Sequence, residues 1–211
     1  MPRTPFLPPA MRAAAVVLAG GRAERLGGVN KALIELGGRP LAAHLHDALA
    51  GCDPRLLAVG RNGYELAGLT SIADPATPYA GPLAGVAAAV EALGDGPVTH
   101  LLSVAVDTPF FPRDFLARAG ERIGARDVVL AAYAGQDYPT NALWRLAALR
   151  DLPRLMREGT APHSLRRLSA GLDCLRLDYA QELAEDPFLN VNTPADLAAA
   201  RARWARENPG A

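Results

Sequence analysis

Short apolar runs alternate along this chain with longer stretches whose apolar residues recur every three or four positions, a pattern that predicts parallel strands joined by helices. The first strand is read at 12–19 (Arg-Ala-Ala-Ala-Val-Val-Leu-Ala), followed by a glycine-rich stretch to Gly28 and an ordered segment at 31–36. Pro40 opens a helix with Leu41, Leu45 and Leu49 on one face, and strands follow at 56–60 and 70–73, the second stopped by Asp74-Pro75. Pro82 stands where a helix through Leu83, Val86, Val90 and Leu93 should begin, because proline suits the first helical position. A buried strand at 100–106, a helix at 112–123 and strands at 127–133 and 138–145 complete the regular part. The last third is less regular, with segments at 146–157, a short helix around 164–168, a strand at 172–177 and an Ala/Arg-rich helix at 194–207. The expected fold class is α/β with a mixed, mostly parallel central sheet.

Composition narrows the function. A length of 211 residues suits one core, since single domains run to roughly 250 residues before splitting. Residues 1–10 are rich in proline and read as a disordered leader, and 11–211 as a single domain without repeats or a low-complexity linker. The 22 Lys+Arg balance the 22 Asp+Glu, so the chain has no basic field of the kind nucleic-acid binding needs. Cys52 and Cys174 lie far apart with no metal-type spacing, which favours a reduced, cytoplasmic setting. No apolar run approaches the ~20 residues of a membrane span, and the leader lacks the apolar centre of a signal peptide. Every basic residue is arginine except Lys31. A compact ammonium and a planar guanidinium are not interchangeable against a phosphate oxygen, so this exception marks a candidate phosphate contact.

In open α/β sheets ligands bind beyond the carboxyl ends of strands, which directs attention to polar residues after apolar runs. The run Leu18-Ala19-Gly20-Gly21-Arg22-Ala23-Glu24-Arg25-Leu26-Gly27-Gly28 follows the first strand and precedes Asn30-Lys31. Its glycines let backbone N–H groups face phosphate oxygens, and Arg25 and Lys31 supply charge for a triphosphate. The spacing is neither the dinucleotide G-x-G-x-x-G nor the P-loop pattern, and a glycine loop that binds nothing is the bland alternative. Asp107 ends the apolar run Val104-Ala105-Val106. Such a carboxylate can hold magnesium through waters and substrate phosphates, or can merely cap a turn; its apolar approach favours the metal. Asp74 and the stretch Gly81-Pro82-Leu83-Ala84-Gly85 could let a base or ribose lie against backbone, although a plain helix start would look the same. Near the end, Asn190-Val191-Asn192-Thr193-Pro194 alternates amide and apolar side chains before a helix. Thr193 as N-cap and Pro194 at the first helical position explain part of that string, but neither asparagine.

Taken in order and separation, 18–33, 81–85, Asp107-Thr108-Pro109, Pro139-Thr140 and 190–194 resemble the molybdenum cofactor guanylyltransferase family, within the wider nucleotidyltransferases, over nearly the whole chain from Met11. The resemblance implies a Rossmann-like, three-layer nucleotidyltransferase fold. It also implies a GTP site in which Leu18, Ala19, Gly20 and Gly21 contact the nucleotide with Pro82 and Gly85. Lys31 and Arg25 would meet the phosphates, Asp74 would belong to the nucleoside side, and Asp107 would bind magnesium, with manganese as the alternative ion. Asn190 and Asn192 would face the pterin of the second substrate, molybdenum-molybdopterin, and proteins that deliver or accept the cofactor would be transient partners. The Leu-Ala-Gly-Gly form and the two asparagines favour GTP, because cytidylyltransferase relatives carry Leu-Ala-Ala-Gly and aspartates. Departures are Asn30 in place of aspartate, Gly60 where an asparagine is common, with Asn62 as a substitute, and Tyr138 in place of histidine. Catalysis would rest on Arg25, Lys31 and Asp107 without a base, since His44, His46, His100 and His163 lack base-like contexts. A sibling cytidylyl- or sugar-phosphate transferase and a non-catalytic nucleotide-binding relative are the competing readings.

Overall fold

The computed structural model describes residues 11–20, 22–23, 29–60, 65–75 and 77–209. The chain begins with β1 (Ala13–Leu18), the two-residue strands β2 (Arg22–Ala23) and β3 (Val29–Asn30), a 3-10 turn at Lys31–Leu33, and a hairpin of β4 (Glu35–Leu36) with β5 (Arg39–Pro40). Next come α1 (Leu41–His44), β6 (Cys52–Ala58), β7 (Thr70–Ile72), α2 (Pro82–Leu93), β8 (His100–Ala105), α3 (Phe115–Ile123), β9 (Val128–Tyr133) and β10 (Gln136–Arg145). The remainder is α4 (Leu146–Leu149), α5 (Leu152–Arg157), α6 (Leu165–Ala170), β11 (Cys174–Asp178) and α7 (Pro194–Glu207).

Among the described residues, seven strands form one sheet in the order β11-β9-β10-β8-β1-β6-β7. β1 runs parallel to β6 and β8, β6 to β7, and β11 to β9, while β10 is antiparallel to both neighbours. The mixed, mostly parallel sheet read from the sequence is therefore the one observed. Each face carries its own apolar layer. Alternate residues of β1 separate the two: Ala15 and Val17 pack with Leu45, Leu49, Phe115 and Leu116, whereas Ala14, Val16 and Leu18 pack with Leu83, Val86, Val90 and Trp144. Period-two alternation thus feeds both faces of a strand that is buried throughout, as expected for the centre of a three-layer α/β fold.

α2 explains both glycines in the 81–85 stretch. The helix starts at Pro82 behind Gly81, whose φ of 75° is easy only for glycine. Gly85 lies inside it, and a Cβ there would come within 2.9 Å of both Ala58 Cβ and Leu18 Cδ2. The absent side chain lets α2 sit close on the ends of β1 and β6. Residues 83–90 are all buried, which an alanine-rich helix tolerates because small side chains pack on every side.

Two elements differ from the sequence pattern. The helix expected after Pro40 is a single turn, continued by irregular turns with i+3 bonds from His46 to Ala43 and from Ala50 to Asp47. Leu41, Leu45 and Leu49 nevertheless remain buried, because turns of this kind keep nearly the same face toward the core. The strand expected at 56–60 starts earlier, at Cys52, and stops at Ala58, leaving Gly60 beyond it with φ 65°.

Filling the Gly85 gap should force α2 off the sheet. Gly85→Val is expected to cost about 1–3 kcal/mol by overpacking, read as a fall in melting temperature of several degrees for a chain of this size.

Candidate active site

The parallel strands β1, β6, β7 and β8 all end at one edge of the sheet. The chain leaves β1 for β6 and β7 on one side, then returns to β8 on the other. Such a reversal opens a crevice at the strand ends, and a cleft of about 200 Å³ lies there. Leu18, Gly20 and Ala58 contribute from β1 and β6, Asp74 from the segment after β7, Gly81, Pro82 and Gly85 from the start of α2, and Asp107 from the turn after β8. Lys31, Thr140 and Asn190 close it from outside the parallel core.

The charged centre is compact. Lys31 Nζ donates to Asp107 Oδ2 at 2.7 Å, with only 14% and 12% of the two side chains exposed. The same ammonium donates to Asn192 Oδ1. Two residues that lie 76 and 161 positions beyond Lys31 in sequence meet at its one nitrogen. Such pairing is required, because a largely buried charge without a partner is strongly unfavourable.

Asp107 is placed by what surrounds it. The N–H of Val106 bonds Leu18 O and extends the β1–β8 ladder, and Thr108 turns back through its N–H and Oγ1 to Ala105 O. The acid therefore sits on a tight turn at a buried strand end. Its own carbonyl accepts the N–H of Val191 at 2.9 Å, which docks the C-terminal amide motif against it. Val191 is buried with Ile34, Leu36, Leu41 and Ala200, so the alternation seen in the sequence turns the flanking asparagines away from that cluster. Asn190 lines the cleft and its Oδ1 is buried without a partner, whereas Asn192 reaches Lys31.

Gly20 and Gly60 meet where the segments after β1 and β6 converge. A Cβ on Gly20 would lie 3.3 Å from Gly60 N, and one on Gly60 would lie 3.3 Å from Gly20 Cα and O. Close backbone approach together with a left-handed φ accounts for glycine at position 60. Ala19 N bonds Ala58 O at 2.9 Å just before this contact.

Of the residues singled out in the sequence, Leu18, Gly20, Lys31, Asp74, Pro82, Gly85, Asp107 and Asn190 line one cleft. Ala19 stands between two of them, and Asn192 joins through Lys31. Gly21, Arg25 and Asn62 lie outside the described residues, as does the side chain of Asn30. Sequence reasoning passed over Asn141, which is fully buried at a register shift in β10 and whose Oδ1 accepts the N–H of Ala105 at 2.9 Å. A lone amide beside the apolar run Ala142-Leu143-Trp144 was the available signal. It also passed over Asp196, whose Oδ2 accepts the backbone N–H groups of Asn192 (3.0 Å) and Thr193 (2.8 Å). Those bonds hold its carboxyl below the usual carboxylate range.

None of the histidines lines the cleft. His44 Nε2 bonds Leu36 O at 2.9 Å beside the Trp204 ring, and His163 stacks on Tyr79. Burial lowers the basicity of His44 and His100.

A mixed sheet with a strand-end crevice, a glycine contact at its mouth and a lysine–aspartate centre is an α/β arrangement suited to handling a nucleoside triphosphate. The comparisons with known proteins make this specific. The model of the MobA-like NTP transferase domain matches residues 15–175. The chain is 40% identical over 202 residues to a molybdenum cofactor guanylyltransferase of Rhodopseudomonas palustris (strain HaA2), covering 92% of each protein. It is 38% identical over 192 residues to one of Acidiphilium cryptum (strain JF-5), covering 89% of this chain and 93% of the relative. A solved structure of molybdopterin-guanine dinucleotide biosynthesis protein A from Archaeoglobus fulgidus shares the fold, with a TM-score of 0.66 at 22% identity over 93% of this chain and 100% of that one. This chain belongs to the MobA-like NTP transferase family and is a nucleotidyltransferase.

The histidines yield a pH prediction. For groups with depressed folded pKa, the unfolded chain takes up protons first, so stability is present above about pH 6.5 and is lost as pH falls below it. Thermal melts at pH 7.5 and 5.5 should show that loss, and His100→Leu should reduce it.

Proposed function

We propose that this chain transfers GMP from GTP to the terminal phosphate of molybdenum-molybdopterin, releasing pyrophosphate and forming the guanine dinucleotide cofactor. The observation that carries the reading is the meeting of the β1 glycine end, Lys31 and Asp107 in one cleft. The names of the curated relatives support the choice of nucleotide and acceptor.

A phosphate oxygen of the acceptor attacks the α-phosphorus of GTP, a new P–O bond forms, and the bond from the α-phosphorus to the bridging oxygen breaks as pyrophosphate leaves. The nucleophile is already an anion, so no side chain need remove a proton, in keeping with histidines that stand away from the cleft. The chain's work is positioning and charge neutralisation. Lys31 would exchange its carboxylate partner for phosphate oxygens, with Arg25 as the second cation of the triphosphate. Leu18, Ala19, Gly20 and Gly21 would present backbone, Asp74, Pro82 and Gly85 would bound the nucleoside, and Asn190, with its unpartnered Oδ1, would receive a donor from the bound substrates.

The donor set suits magnesium, with manganese as an alternative. Among the described residues no cluster of three His, Cys, Asp or Glu could cage an ion, and magnesium is ordinarily held by one or two carboxylates together with substrate phosphates. Asp107 would be the carboxylate that holds it, and the ion would supply charge stabilisation at the reacting phosphates. A cytoplasmic location accords with the free Cys52 and Cys174, and among the described residues no helix is long and apolar enough to cross a membrane. Cofactor-delivering and cofactor-accepting proteins are the expected transient partners.

Asp107→Asn should lower turnover about a hundredfold or more, the loss expected for one strong electrostatic partner, measured as pyrophosphate release with GTP and the pterin substrate; near-normal turnover removes Asp107 from this role. Lys31→Arg retains the charge but changes its shape, and turnover should drop with it; an unimpaired variant would show that any cation suffices. With magnesium present, GTP should raise the melting temperature, as a ligand of the native state does. A response to CTP alone would overturn the guanylyl assignment.

A further inference from the structure

Helix α7 begins with a capping box: Thr193 Oγ1 accepts the N–H of Asp196 at 3.1 Å, and Asp196 Oδ2 accepts the N–H of Thr193. Capping requires nothing further from Asp196. Yet the same oxygen also accepts the N–H of Asn192, a residue outside the helix. That surplus bond lies on the path to the charged centre. Successive N–H groups of 191, 192 and 193 are taken by the carbonyl of Asp107 and twice by the carboxylate of Asp196. The backbone on either side of the Asn192 side chain is thereby fixed, and that side chain presents Oδ1 to Lys31.

We infer that Asp196 is a positioning residue for Lys31, acting through Asn192: its carboxylate fixes the peptide that aims the Asn192 amide oxygen at the ammonium. The inference changes what Asn192 does, from contacting a pterin to orienting the cation of the nucleotide site. It rests on the proposed nucleotidyl transfer for its kinetic consequence, but not for its geometry. Lys31 has three donor hydrogens on a flexible stem. Asp107 alone fixes one direction, and the second acceptor sets the rotation of the ammonium at the wall of the cleft.

The test compares two variants of the full chain that injure the same helix start differently. Asp196→Asn is isosteric but removes the charged acceptor of both N–H groups, whereas Thr193→Ala removes only the capping hydroxyl. Because Lys31 is the only lysine, isotope-labelled lysine gives one side-chain NMR signal that reports its surroundings without any assay of turnover. Asp196→Asn should shift that signal and lower kcat about tenfold, as small misplacements of a reacting group do, with KM for GTP within about twofold, the pattern of an interaction that acts in the transition state. Thr193→Ala should lower the melting temperature by at least as much while leaving kcat and the lysine signal in place. If both variants lose kcat in step with stability, or if Asp196→Asn leaves the signal and kcat unchanged, Asp196 is only a helix cap. A wild-type protein without GMP transfer would instead defeat the functional reading, while the NMR comparison would still decide the placement of Lys31.

Discussion

The ammonium of Lys31 cannot remain largely withdrawn from water unless acceptors surround it, and the acceptors it has come from the middle and the last part of the chain. Asp107 arrives on the turn after β8 and Asn192 on the segment before α7, while Lys31 itself follows the β1 glycine stretch. Desolvating a lysine and a carboxylate costs several kcal/mol for each ion, and their attraction offsets this only when the geometry is good. The surrounding structure therefore has to hold the three groups in register. Its means are the backbone bond from Val191 to Asp107, the turn at Thr108, and the Asp196 carboxylate beneath Asn192.

The same constraint explains why the C-terminal arm matters. The family match ends at residue 175, yet Asn190 and Asn192 come from beyond it. The arm is anchored by a small apolar cluster of its own, in which Val191, Leu197, Ala200 and Trp204 meet Ile34, Leu36 and Leu41. Gly37 lies beneath Trp204, where a Cβ would overlap the indole ring. The hairpin β4–β5 and α7 thus form a clasp that brings the last segment over the cleft, and the alternation of Asn190, Val191 and Asn192 divides its side chains between that clasp and the site.

Glycine works differently at the other rim. Gly20 and Gly60 touch backbone to backbone after two neighbouring parallel strands, and Gly85 brings α2 onto the ends of those strands. Position 60, where the family resemblance leads to an expectation of asparagine, is in this chain a residue that permits contact. The cleft is shaped there by the absence of side chains, in contrast to the charged rim opposite.

The apolar periodicity by itself determined the alternating α/β architecture, the buried strands β1 and β8, and the start of α2 and α7, because burial and capping leave local marks of the right period. The unusual isolation of Lys31 among arginines and of Asp107 after an apolar run marked both as candidates. Only the tertiary structure decided that these two pair with each other and with Asn192, since an ion pair across 76 residues and a hydrogen bond across 161 leave no local trace. The same holds for Asn141 completing the β8 ladder, Asp196 reaching past its own helix, and the shortening of α1 to one turn: each depends on which backbone groups lack partners once the sheet has formed. Periodicity records which residues avoid water, whereas the partner that satisfies a buried polar group is chosen by three-dimensional proximity alone.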